Sequence, residues 1–331
     1  MVTAHDITDR VALIELPLPL VGLTSVNCYV VRGADETVLV DPGWSSPDTD
    51  RTLCEGLDLL GVDIRSISRI LTTHHHWDHY TQGITWQGEL GIPVHLGRED
   101  ADSIHAWREL DGAFPRQVDL LRRAGADLLA TEVASIPVEP HEAAMDFDVP
   151  AAWIDDAEVI DLGGTTIRAV ATPGHTRGHV CFEVTEDHLL LTGDHVLPRI
   201  TPSIAYEREP DRRSLTSYLS SLRIVTEMPR HQMLPAHGAV GGAAADRAAE
   251  LIQHHEERLE VIRDLVSRGR STAQEVAAGM TWTRRERSLH DLETVHQMTA
   301  VLEAAAHLTV LADDGALVLA AQDGIDRYAV A

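Results

Sequence analysis

The 331-residue sequence predicts an α/β fold followed by a smaller helical unit, and three observations carry that reading. Short apolar runs alternate with helix-periodic stretches through most of the chain. Several of those runs end in aspartate, histidine or glycine, the residue types that open α/β folds gather at strand ends to hold ligands. After "PAHGAVGG" the composition changes, and residues 243–268 read as one long amphipathic helix.

The elements follow in order. Strands are expected on "VALIEL", "NCYVVR", "TVLV" and "ISRILTT" early in the chain, and later on "TTIRAVAT", "HVCFEVT", "HLLLT" and "HQMLP". Each is short and largely apolar, and most carry β-branched residues. Helical periodicity falls on 47–60, 98–109, 115–129 and 211–227. The stretch "IPVEPHEAAMDFDVPAAW" is proline-rich, acidic and aperiodic, so it reads as a long connection, a kind that tends to lie beside functional sites. Past the long helix, "STAQEVAAGM" and "DLETVHQMTAVLEAAAHL" are helical, and "TVLADDGALVLA" with "DRYAV" forms a glycine-turned hairpin. Three helices and a hairpin resemble a winged helix. The expected division is a catalytic domain over 1–242 and a helical domain over 243–331.

Composition removes several function classes. The formal charge is -25 and all 27 basic residues are arginine, so neither a Schiff-base lysine nor a P-loop lysine exists. Three widely spaced cysteines, Cys28, Cys54 and Cys181, give neither a disulfide framework nor a thiolate zinc cluster, which suits a reducing cytoplasm. No export signal and no run of 18 apolar residues is visible, so no membrane span is expected.

The chemistry concentrates in "LTTHHHWDHY". In extended chain, positions two apart share a side, so His74 and His76 can aim both imidazoles at one metal ion while His75 and Trp77 face away. Asp78 and His79 are adjacent and should diverge, which suits the start of a second site. Three later loops offer the remaining donors at strand ends: His175 in "ATPGHTRGH", Asp194 in "LLLTGDH" and His237 in "MLPAHG".

Together "HHHWDH", "TPGHTRGH", "TGDH" and "PAHG" resemble the metallo-β-lactamase superfamily, whose signature is HxHxDH followed by His, Asp and His ligands in that order. The resemblance implies an αββα sandwich with metals at one edge. It assigns one ion to His74, His76 and His175, the second to Asp78, His79 and His237, and a bridging role to Asp194. Asp78 and Asp194 are then the catalytic carboxylates. Asp41 in "VLVDPG" matches an early aspartate-glycine turn and reads as structural. The implied cofactor is two divalent ions, zinc first, with iron or manganese as alternatives for such a donor set. Bound metal brings the pKa of water down to about 7, so a bridging hydroxide would attack a carbonyl or phosphoryl centre without a protein nucleophile.

The substrate is less sharply marked. His179 and His195 read as supports for the ligands, Trp44, Trp77, Arg199 and Tyr206 as candidates for the cleft, and His254, His255, His290, His296 and His307 as packed or solvated tail residues. A winged-helix-like tail suggests nucleic acid, and "TRRER" is a small basic cluster, yet residues 243–331 carry nine arginines against fifteen acidic residues. Phosphate-backbone binding depends on cations, so nucleic acid is disfavoured and packing, homodimer formation or a cleft role is preferred for the tail. The expected function is a dinuclear hydrolase of a small acyl thioester, ester or lactone. The alternatives are an RNA or DNA phosphodiesterase of the same fold, a β-lactam hydrolase, and a binding protein with a vestigial site.

Overall fold

A computed structural model describes residues 2–20, 23–109, 112–138, 144–204, 206–283 and 285–331. Two stretches singled out in the sequence lie partly outside these: 139–143 of the long connection and residue 284 of "TRRER".

The first sheet has seven strands in sequential order. β1 (Ala4–Asp6), β2 (Val11–Pro17), β3 (Ser25–Arg32) and β4 (Thr37–Val40) are antiparallel, and β5 (Ile67–Thr72), β6 (Val94–Gly97) and β7 (Ala152–Ile154) extend the sheet in parallel. The second has five strands in the order β12 (Gln232–Pro235), β11 (Leu189–Gly193), β10 (Val180–Val184), β9 (Thr166–Ala171), β8 (Val159–Asp161). Side chains alternate across a strand. Val11 and Leu13 therefore join Tyr29, Val38 and Leu71 in a core shared with Ile167, Phe182, Leu191 and Leu234 of the second sheet. Ala12, Ile14 and Leu16 face the other way, into a layer of helices α1 (Pro47–Leu59), α2 (Trp77–Leu90) and α3 (Ala101–Glu109).

On the far side, α6 (Ser214–Glu227) and α7 (Ala244–Ser267) cover the second sheet through Leu215, Leu222, Ala248 and Leu251 against Val170, Leu190 and Met233. The layers are thus helix, sheet, sheet, helix. A separate core joins α8 (Ala273–Ala277), α9 (Thr294–Asp313) and the hairpin β13 (Leu317–Gln322) and β14 (Ile325–Val330). Helices α4 (Pro115–Arg123) and α5 (Asp127–Ala134) also bury Leu121, Ala130 and Val133 in it.

The expected 115–129 helix is two helices, because Gly125 adopts φ 78° and turns the chain between them. No helix among the described residues is long and apolar enough to cross a membrane.

Candidate metal centre

Within the second sheet β9, β11 and β12 run in one direction, and the loops at their C-terminal ends meet the loop that follows β5 at one edge of the sandwich. The β5 loop carries His74, His75 and His76; α2 starts at once and supplies Asp78 and His79 from its first turn. The extended-chain expectation that Asp78 and His79 diverge is corrected here. Helix onset at Trp77 turns adjacent side chains through about 100° rather than 180°, and His79 Nε2 lies 3.6 Å from Asp78 Oδ2.

All seven sequence-predicted residues converge. His76 Nδ1 is 3.0 Å from both His74 Nε2 and His175 Nε2. His237 Nε2 is 3.3 Å from Asp78 Oδ2 and 3.3 Å from Asp194 Oδ1. Asp194 spans the two groups: Oδ2 is 3.5 Å from His175 Nε2, while Oδ1 is 3.8 Å from His79 Nε2. Tetrahedral donors about 2.0 to 2.1 Å from an ion stand roughly 3.3 Å apart, so these spacings suit metal ligation. The buried atoms His79 Nε2, His237 Nε2 and Asp194 Oδ1 have no hydrogen-bond partner, which fits groups that would ligate a cation.

The rings are oriented from behind. His79 Nδ1 donates to Asp41 Oδ2 at 3.0 Å, His175 Nδ1 to the Ser203 carbonyl at 2.7 Å and His237 Nδ1 to the Ser25 carbonyl at 2.9 Å. In the neutral ring, each such bond leaves the lone pair on Nε2, facing the centre. Asp41, at φ 54°, also accepts from the Thr73 amide and hydroxyl, so it braces the ligand loop as well as His79. His179 stacks on His74 and accepts from the Asp194 amide at 3.2 Å, a supporting position as expected. Gly193 adopts φ 50°, and a Cβ there would stand 2.6 Å from His179 Nε2 and 2.7 Å from Thr73 Oγ1.

Electrostatics separate the two groups. Burial, with neighbouring imidazoles adding to it, drives His74 and His76 well below the usual histidine range, and burial also lowers His175. Burial would lower His79 too, but Asp78, Asp41 and Asp194 outweigh it and lift it to about 10. Burial of Asp78 is likewise overcome by His79 and His237, which hold its carboxyl at about 2. The acidic half of the site therefore attracts positive charge, and the neutral half offers lone pairs.

Beside the centre lies a cavity of about 710 Å³ lined by His76, Trp77, Tyr206 and parts of the long connection, including Pro137 and Phe147. Trp77 and Tyr206 stand where the sequence reading puts cleft residues. Trp44 instead packs edge-on against Trp77, and neither it nor Arg199 lines this cavity. Sequence reasoning misses Asp100, which accepts the His75 and Gly178 amides at 2.9 and 2.7 Å and so ties the β5 loop to the β9–β10 loop. Nothing periodic marks it.

An αββα sandwich with histidines and aspartates gathered at one edge defines a metal-dependent hydrolase. Residues 21–237 match the metallo-beta-lactamase superfamily, and the chain belongs to it. Two solved structures align along nearly the whole chain. A metallo-beta-lactamase family protein from Thermus thermophilus has a TM-score of 0.76 at 26% identity, covering 98% of this chain and 100% of that one. A beta-lactamase domain protein from Burkholderia ambifaria has a TM-score of 0.73 at 26% identity, covering 99% and 95%. The lactamase-like protein aptB of Emericella nidulans is 28% identical over 81% of this chain and 69% of its own length. An atrochrysone carboxyl ACP thioesterase of Aspergillus terreus is 27% identical over 78% of this chain and 67% of its own. Two further lactamase-like fungal proteins are matched over only 64% and 59% of their length.

Proposed function

We propose that the protein hydrolyses a small acyl thioester, ester or lactone with two divalent ions, zinc first. One ion would be held by His74, His76 and His175, the other by Asp78, His79 and His237, with Asp194 shared. The observation that carries this reading is the split of Asp194, whose two oxygens face different imidazole groups at 3.5 Å and 3.3 Å. When bound, the ions supply Lewis acidity and bring the pKa of water to about 7. The chain's own residues do the rest. Asp41, Ser203 and Ser25 hold three imidazoles in the ligating tautomer, Asp78 and Asp194 balance the cationic charge, and the cavity beside His76 receives the acyl group.

Thioesters stand first because one relative is a named thioesterase. A nuclease is less well supported, since a chain with net charge -25 and no lysine has little with which to neutralise a phosphate backbone. The three cysteines are unpaired, in keeping with a reducing cytoplasm. We assign the catalytic part to 1–242 and the helical part to 243–331, the latter sharing its core with α4 and α5. A hydrolysis panel of thioester, lactone, β-lactam and RNA substrates with metal-loaded protein tests the reading. Carbonyl turnover lost in His76→Ala is expected; salt-sensitive RNA cleavage with no carbonyl turnover would overturn it.

A further inference from the structure

The chain is poor in aromatic residues: three phenylalanines, six tryptophans and five tyrosines. Five of those fourteen, Trp77, Trp107, Phe114, Phe147 and Tyr206, line the cavity beside His76. Its volume of about 710 Å³ suits a small organic molecule.

The rings form two groups. Trp107 and Phe147 lie parallel, 4.1 Å between centroids and 3° between planes. Tyr80 stacks beyond Phe147 at 6.4 Å, and the Arg208 guanidinium covers the other face of Trp107 at 4.3 Å. With Phe147 on one face and Arg208 on the other, Trp107 can meet a molecule in the cavity only through its edge. The second group starts at the metal centre: Tyr206 meets His76 edge-on at 6.2 Å and Phe114 edge-on at 5.8 Å.

Aromatic edges carry partial positive charge and faces partial negative charge, so a ring edge is best satisfied by the face of another ring. A stack locked from Tyr80 to Arg208 also has little freedom to close around a flexible chain. Resting on the acyl-hydrolase reading, we propose that this cavity selects planar, ring-bearing acyl groups over straight-chain ones, with Trp107, Phe114 and Phe147 as specificity-determining residues. The carbonyl would sit at the His76 end and the ring system between the two aromatic groups. The selection is by shape and ring edges, and it asks for no charge on the substrate.

Two measurements on metal-replete, full-length protein test this. The first compares kcat/KM for the N-acetylcysteamine thioesters of 2-naphthoic and octanoic acids, which share a leaving group. The second compares calorimetric binding of the two free acids, which share a carboxylate, so that metal contact cancels. We expect the naphthoyl ester to be favoured at least about tenfold, naphthoate to bind tighter than octanoate, and both preferences to shrink at least about fivefold in Trp107→Leu and in Phe114→Leu. Equal or reversed preferences in wild type, or preferences unchanged in both variants, would overturn the proposal. If neither thioester turns over, the acyl-hydrolase reading fails; the acid-binding preference and its loss in the variants then still decide the cavity's selectivity.

Discussion

The pair His255 and His307 should make the stability of this protein fall as pH drops below about 6.5, the ordinary histidine pKa. Both side chains are buried between α7 and α9, with Nδ1 of His255 3.1 Å from Nε2 of His307. His307 Nδ1 donates to the Glu303 carbonyl at 2.8 Å, so its Nε2 is the acceptor and His255 Nδ1 the donor. A proton on His307 Nε2 would set two N–H groups against each other. One on His255 would enter at Nε2, which has no partner. Burial pushes His255 down to about 2 and His307 to about 3, and His254 and Arg258 add positive charge that opposes protonation further. The unfolded chain thus takes up protons that the native state refuses between about pH 6.5 and 3, and stability rises with pH in that window. Above it the pair is neutral in both states and contributes nothing. One pH unit below the unfolded pKa, each histidine costs a little over about 1 kcal/mol, with a ceiling of roughly 3 kcal/mol for the pair. The assay is guanidinium unfolding of wild type and of His255→Leu/His307→Leu at about pH 7.5 and 5.5, one unit either side of the unfolded pKa. Removing both partners together leaves no unmatched group within the pair, and the shared metal centre cancels in the comparison. The wild type should lose up to about 3 kcal/mol relative to the double variant on acidification. A difference between the two proteins that does not change with pH would refute the neutral pair.

Three further outcomes follow from the geometry. Asp194→Asn should bring metal content below two ions per chain by elemental analysis and cut turnover at least about 100-fold with native circular dichroism; unchanged stoichiometry would remove its shared role. Asp41→Asn, which alters the side chain that hydrogen-bonds Thr73 and His79, should weaken metal affinity or activity about 10- to 100-fold, measured by chelator competition. Gly97→Ala would put a Cβ 1.9 Å from the Gly178 carbonyl, backbone against backbone, and should destabilise the fold by about 1–3 kcal/mol or more in thermal melts.

How much of this is legible in the sequence depends on which physics each residue obeys. Residues that ligate a metal must converge, and spacing at strand ends exposes them, so all seven proposed ligands can be read from "HHHWDH" onward. Helix α2 escapes a periodicity search because its buried residues are mixed: Asp78, His79, Thr81 and Gln82 are enclosed alongside Tyr80, Ile84 and Trp86, which blurs the apolar stripe. Strands β7 and β8 are three residues long each, too short for alternation to register. Asp100 escapes because its partners, the His75 amide and ring, the Thr176 hydroxyl and the Gly178 amide, lie 25 to 78 positions away and meet it only in the folded chain. Asp41 is visible, but as a turn residue; its hydrogen bond to His79 spans 38 positions and exists only in the folded chain.

The tail illustrates the same limit from the other direction. The change of composition after Gly242 suggests an appended unit, and the charge of that unit argues against nucleic acid. The structure adds that α4 and α5 bury Leu121, Ala130 and Val133 against Val276, Leu308 and Tyr328, so one core is built from two distant parts of the chain. The same α4 presents Gln117 to the cavity beside His76, and Val295 in the first turn of α9 reaches that cavity directly. The helical part therefore shapes the space in which the acyl group is proposed to lie, while every proposed metal ligand belongs to the sandwich. A fold divided in this way can keep its metal chemistry and change its substrate by altering the cavity wall, from Trp107 and Phe114 to α4 and the start of α9. For that reason the ligand motif, the most readable feature of the sequence, says least about what is hydrolysed.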